Sequence, residues 1–162
     1  MKTLLLLRHA KAETEIFGQA DFDRALSKRG LRDAQHLGDK LLHLQKNIDL
    51  IVSSPALRTA QTAQIIAEGL QYPSAIEWDK KLYHASAKGI QDVILETDST
   101  INTLLLVGHN NGLSELAFDY FAGLSDYLPT CGLLALQIDT DNWQDIPQSE
   151  KRYLFTVFPE RE

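Results

Sequence analysis

The sequence predicts an α/β fold of three layers, α/β/α, in which a mostly parallel central sheet carries helices on both faces. Short continuous apolar runs at residues 3–7, 49–53 and 101–107 have the length expected of strands buried on both sides. Each run is followed by a segment whose apolar residues recur every three or four positions, which gives a helix one buried face. Such alternation builds parallel sheets through crossover helices. A third observation concerns chemistry: Arg8, His9, Arg58 and His109 follow the ends of these runs, where open α/β sheets place their ligand-binding groups.

Taken in order, residues 3–7 form the first strand. Ser27 has the character of an N-cap, and Ala34, Leu37, Gly38, Leu41 and Leu42 make one helical face after it. Residues 49–53 are the second strand. Pro55 suits a helix's first turn, and Ala60, Ala63, Ile66, Ala67 and Leu70 form that helix's inward stripe. Ser53 and Ser54 are expected to cap this helix rather than to act as nucleophiles. Residues 75–78 are a third, shorter strand, and 88–96 a short helix with Ile90, Val93 and Ile94 inward. Residues 101–107 form the next strand, and Leu113, Leu116, Ala117 and Tyr120 mark the helix that follows. Two closing strands, 132–138 and 152–158, are joined by the polar stretch 139–150 and suggest a hairpin-like edge whose pairing the residues leave open.

A chain of 162 residues suits one domain spanning 1–162, large enough to bury a core without disulfides or metals. No linker-like, repetitive or low-complexity tract divides it. The single cysteine, Cys131, excludes an intramolecular disulfide and is expected to be a small buried hydrophobe at the start of a strand. The opening apolar run is shorter than the ~7–15 residues of a signal-peptide core, and no stretch approaches the ~20 needed to cross a bilayer. A soluble, cytoplasmic protein with no membrane partner is the expectation. A formal charge of −6 argues against nucleic acid as a partner, because broad binding to that polyanion needs a basic face. The same charge repels phosphorylated ligands at long range, so any site for them needs local cations. Arg8 and Arg58 are the source at hand, since guanidinium can hold phosphate oxygens through two parallel hydrogen bonds.

Four strings carry a family resemblance, in order along the chain: LLLLRHAKAE with Arg8 and His9, RALSKRGLRDA with Ser27 and Gly30, SSPALRTAQTA with Arg58, Gln61 and Thr62, and LLLVGHNNGL with His109 and Asn110. Together they resemble the histidine phosphatase superfamily, whose fold is phosphoglycerate mutase-like. Ala10 stands where that superfamily usually has Gly after Arg-His, and the segment after it is most similar to the branch of the SixA-type phosphohistidine phosphatases. The resemblance implies a two-step phosphoryl transfer. His9 is the nucleophile, attacking phosphorus in line as a neutral imidazole; Arg8, Arg58 and His109 bind the phosphoryl oxygens; and water later releases phosphate. Neither metal nor cofactor is implied.

Ester-cleaving members place a carboxylic acid after the third strand to protonate an alkoxide. In KKLYHASAKGI the corresponding position is His84, an imidazole that can transfer protons near neutrality or simply line the mouth. Imidazole leaves with less acid assistance than an alkoxide does, and the chain has little material for a lid beyond the 12–23 loop. The implied substrate is therefore a phosphohistidine-bearing protein. Two other readings stand beside it: a general phosphomonoesterase on a small metabolite, and a non-catalytic phosphate-recognition module that would not need a free nucleophile. Arg24 has two accounts, a residue of the substrate rim or the partner of Asp21 or Asp23 in a salt bridge. His36 and His43 are expected to be exposed or helix-packing residues.

Overall fold

The computed structural model describes residues 1–160. Ten main elements alternate along them: β1 (Lys2–Arg8), α1 (Lys28–Leu44), β2 (Leu50–Ser53), α2 (Leu57–Gly69), β3 (Glu77–Trp78), α3 (Ala87–Leu95), β4 (Thr103–Gly108), α4 (Gly112–Tyr120), β5 (Leu133–Ile138) and β6 (Lys151–Val157). The sheet runs β3-β2-β4-β1-β5-β6. β3, β2, β4 and β1 are mutually parallel, whereas β5 lies antiparallel to β1 and β6 antiparallel to β5. The hairpin-like edge is thus present, and β5 is the strand that joins it to the parallel half.

Successive side chains of a strand point to opposite faces, and the leucine-rich strands fill two cores this way. Leu4 and Leu6 of β1, with Leu104 and Leu106 of β4, pack on Ile90, Val93 and Ile94 of α3 and on Leu113, Leu116 and Ala117 of α4. Leu5, Leu7, Leu105 and Val107 face the other way, onto Ala34, Leu37 and Leu41 of α1 and Ala63 and Ile66 of α2. Three layers result, as the apolar periodicity predicts.

Several local expectations are corrected. Leu42 is left partly exposed, because the buried face of α1 closes at Gly38 and Leu41, where Gly38 lies against Gly69 of α2. Ala60 and Ala67 are only half-buried, since the inward side of α2 is taken by Arg58, Thr59, Thr62, Ala63 and Ile66. Pro55 precedes the helix: Ala56 is the N-cap, without a side-chain cap, so neither Ser53 nor Ser54 caps α2. β3 is two exposed residues rather than four. Ser86 caps α3 by accepting from the Gly89 amide, which starts that helix one residue early. The polar stretch before β6 contains a 3₁₀ turn, Trp143–Gln148, whose Trp143 is fully buried.

Two glycines let backbones meet near the C-terminal ends of the strands. A Cβ on Gly30, in the first turn of α1, would lie 2.1 Å from the Lys11 carbonyl oxygen, just past β1. One on Gly112, the first residue of α4, would lie 2.2 Å from the carbonyl oxygen of Ala85. Because the obstacle is backbone in both cases, no rotamer change relieves it. Gly112→Ala is therefore expected to cost about 1–3 kcal/mol through overpacking, which lowers Tm by roughly 2–4 °C per kcal/mol in a chain of this size. Scanning calorimetry checks this, and an unchanged Tm would contradict the close approach of α4 to residues 85–86.

Candidate active site

β1, β2 and β4 are adjacent in the sheet and end at the same side, so the residues that follow them converge. Arg8 closes β1 opposite Gly108 of β4, and the His9 amide donates to the Gly108 carbonyl at 3.1 Å. The His9 and His109 rings are 5.3 Å apart, centroid to centroid. Arg58, in the first turn of α2, places Nη2 3.4 Å from His109 Nδ1. His9, Arg58 and His109 are buried and Arg8 is half-buried. The four residues named from the strand ends lie together at this end of the sheet.

Hydrogen bonds fix the state of both imidazoles. His9 Nδ1 is 2.7 Å from the Ala10 carbonyl oxygen, which can only accept, so Nδ1 carries the proton and Nε2 keeps its lone pair. For His109 the tautomer is reversed. Arg58 can only donate to Nδ1, leaving the proton on Nε2, 2.8 Å from Ser54 Oγ. His109 thus braces Arg58 here and offers its one N–H to Ser54. Burial, assisted by the charges of Arg58, Arg8 and Arg24, brings the His9 pKa down to about 4, although the bond to Ala10 works the other way. Burial likewise takes His109 down to about 3, with His9, Arg58 and His84 adding to it and Asp21 opposing. Desolvation and the neighbouring Arg58 also lower the Arg8 pKa.

The arginines are held by their far ends. Arg8 Nη1 donates to the Leu128 carbonyl at 3.1 Å, and the same oxygen accepts from Asn110 Nδ2 at 3.1 Å. Asn110 Oδ1 in turn accepts from the Ser114 hydroxyl, which receives the Leu128 amide. Arg58 Nη1 and Nη2 donate to the backbone oxygen and Oδ2 of Asp21 at 2.8 and 3.0 Å. Both Nε–H groups, of Arg8 and of Arg58, are buried without a partner. Buried donors left unpaired are costly and uncommon. Behind the pocket, Thr62 Oγ1 accepts the Ala10 amide at 3.0 Å and Gln61 Oε1 the Leu26 amide at 2.7 Å, so the SSPALRTAQTA string holds the loop leaving β1 as well as supplying Arg58.

A profile of the histidine phosphatase superfamily (branch 1) matches residues 4–87. The chain belongs to that superfamily. A crystal structure of a candidate phosphohistidine phosphatase SixA from Agrobacterium tumefaciens superposes with a TM-score of 0.85 at 27% identity, covering 98% of this chain and 99% of the other. In fold alone, the chain is similar to a mycobacterial glucosyl-3-phosphoglycerate phosphatase, with a TM-score of 0.69 at 16% identity over 94% of this chain and 97% of that one. An uncharacterised chloroplast protein of Arabidopsis thaliana is 30% identical over 154 residues, 89% of this chain and 70% of its own length. Membership in the histidine phosphatase superfamily supports phosphohydrolase activity.

The outer wall contains residues that the sequence marks less clearly. His84 lies at the mouth with two-thirds of its side chain exposed, its ring 6.3 Å from that of His109. Its φ of +57° is a left-handed conformation that costs a non-glycine residue about 1–3 kcal/mol and that clusters at functional sites. Of the two accounts of Arg24, the structure shows the salt bridge, with Nε bonding Asp21 Oδ1 at 3.0 Å, and its charge also acts on His9. His36 and His43 are exposed on α1. Asp21 and Tyr83 join the site without a motif to mark them: the Tyr83 hydroxyl donates to Asp21 Oδ2 at 2.7 Å, and its ring packs edge-on to His109. Burial acts to raise the Asp21 pKa, but the bonds from Tyr83 and Arg58, the Arg58 charge and the Arg24 bond outweigh it and hold the carboxyl well below the ordinary range. The signal available was Asp21 three residues before Arg24, in a loop that leaves His9 and must return to α1.

The depressed imidazoles set a pH dependence of stability. As pH falls below about 6.5, the unfolded chain takes up protons that folded His9 and His109 refuse until near pH 4 and 3, so the native state loses stability across that window. Asp21 adds the same sign lower down, because its stabilising ionised form is favoured above the ordinary carboxylate pKa and lost as pH falls toward its depressed value. Tm is expected to drop between pH 6.5 and 4, and to drop less in His109→Asn, which removes one of these titrations. Equal slopes in the two proteins would contradict the assignment.

Proposed function

We propose that this protein is a metal-independent phosphatase that works through a covalent phosphohistidine at His9 and acts on phosphohistidine carried by proteins. The observation that carries the reading is the His9 imidazole, kept neutral by its buried, cationic surroundings and fixed by Ala10 with Nε2 unprotonated. Its lone pair forms the P–N bond as the bond to the leaving group breaks and that electron pair departs with the leaving group. In the second step water attacks phosphorus, the pair returns to Nε2, and the proton given up by water passes to solvent. The orphaned Nε–H groups of Arg8 and Arg58 are donors that phosphoryl oxygens would satisfy, placed where transition-state charge needs fixed dipoles. His109 and Ser54 hold Arg58 in register for that task.

The outer wall supports the choice of substrate. Asp21 is ionised and has no proton to give, which leaves His84 as the proton-transfer group at the mouth. Phosphohistidine protonated on its distal nitrogen departs as neutral imidazole and needs little from an acid; an alkoxide needs much. The likeness in sequence and fold to a candidate phosphohistidine phosphatase points the same way.

His9→Ala is expected to abolish an acid-labile, alkali-stable phosphoenzyme and to lower kcat/KM by more than about a thousandfold. Arg58→Ala should weaken vanadate binding while the far-ultraviolet circular dichroism stays native; normal vanadate affinity would remove Arg58 from the clamp. On a panel of phosphohistidine proteins, sugar phosphates and nucleotides, the first group should be hydrolysed fastest. Faster turnover of small esters would overturn the substrate assignment and leave the nucleophile intact.

A further inference from the structure

The more buried of the two pocket guanidiniums already has an anion. Arg58, with 5% of its side chain exposed, gives both terminal nitrogens to Asp21, Nη1 to its backbone oxygen and Nη2 to its carboxylate, and the Asp21 side chain is 33% exposed. The carboxylate is saturated by its surroundings. Oδ2 takes Arg58 Nη2 and the Tyr83 hydroxyl and lies 3.8 Å from His84 Nε2; Oδ1 takes Arg24 through Nε and Nη2, both at 3.0 Å. Asp21 rides on the short 3₁₀ turn Asp21–Asp23, within a loop tied back by the Ala12–Leu26 bridge and by the Glu13 amide on the Ala25 carbonyl.

A phosphoryl group entering this pocket meets a rival of its own sign. It either takes over the terminal donors of Arg58 or shares the cavity with a carboxylate a few ångströms away, and both outcomes weaken anion binding. We infer that Asp21 is a specificity-determining residue, an internal anion that discourages free phosphate and small phosphate esters, so that the pocket retains chiefly phosphoryl groups brought in by a larger partner that also makes contacts outside it. This rests on the clamp role given above to Arg8 and Arg58. Two consequences follow chemically. Orthophosphate, the product, shares the oxygens of the substrate and is expelled more readily with Asp21 in place; and the cost that Asp21 imposes on binding is met, for a protein substrate, by surface outside the pocket.

The test compares Asp21→Asn, which is isosteric, removes the charge and keeps one of the two accepting oxygens, with Asp23→Asn, an exposed neighbour on the same turn. The competitive inhibition constants of orthophosphate and vanadate are measured for each. Asp21→Asn is expected to bind both anions about tenfold more tightly, the effect of one partly screened charge at short range, and to gain kcat/KM on p-nitrophenyl phosphate; Asp23→Asn should match the wild type. A misfolded variant cannot produce a gain in affinity. Unchanged or weaker binding in Asp21→Asn would mean that Asp21 only props Arg58, and an equal gain in Asp23→Asn would mean that the general field of the loop is responsible; either overturns the inference alone. If the wild type bound neither anion and Arg58→Ala made no difference, the clamp itself would fall and the inference with it.

Discussion

Two guanidiniums and two imidazoles share one largely buried pocket, and the rest of this structure is arranged around keeping those cations and potential cations together out of water. Mutual repulsion and desolvation both oppose such a cluster. It persists because each member is secured by a neutral or anionic partner on its outer side: Leu128 for Arg8, Ala10 for His9, Ser54 for His109, and Asp21 for Arg58. The imidazoles respond by giving up their protons, which limits the net charge to the arginines.

The parallel half of the sheet is what brings these residues within reach. β4 lies between β2 and β1, so Ser53, Gly108 and Arg8 end three neighbouring strands on one side of the molecule. The antiparallel hairpin of β5 and β6 extends the sheet beyond β1, and the turn before it supplies the Cys131 amide to the carbonyls of both Arg8 and His9. The chain therefore fixes the backbone of His9 from two directions: from Gly108 on the β4 side and from Cys131 on the β5 side.

Strand and helix positions were legible because leucine-rich runs and three-and-four periodicity report burial directly, and the strand-end rule located Arg8, His9, Arg58 and His109 together. What the residues do not display is hydrogen-bond partnership between distant segments. Ser53 and Ser54 sit where an N-cap is expected, yet Ser54 spends its hydroxyl on His109, a partner 55 positions away. Asp21 resembles any acidic residue of a polar loop until the fold lays that loop over Arg58. Leu42 fits the apolar pattern of α1 and is exposed all the same, because a period of 3.6 leaves the edges of a helical stripe undecided until the neighbouring helix is in place.

Cys131 is the sole cysteine, and its place in the turn has a consequence for how the enzyme would fare under oxidants. Its side chain is buried at 1% exposure and its thiol is pushed up to about 12, by burial first and by Asp33 second, so almost no thiolate is present at neutral pH. Peroxide reacts with thiolates. A buried sulfur that keeps its proton is a poor target for that reaction, so the turn that fixes the Arg8 and His9 carbonyls is shielded from oxidation at its one thiol.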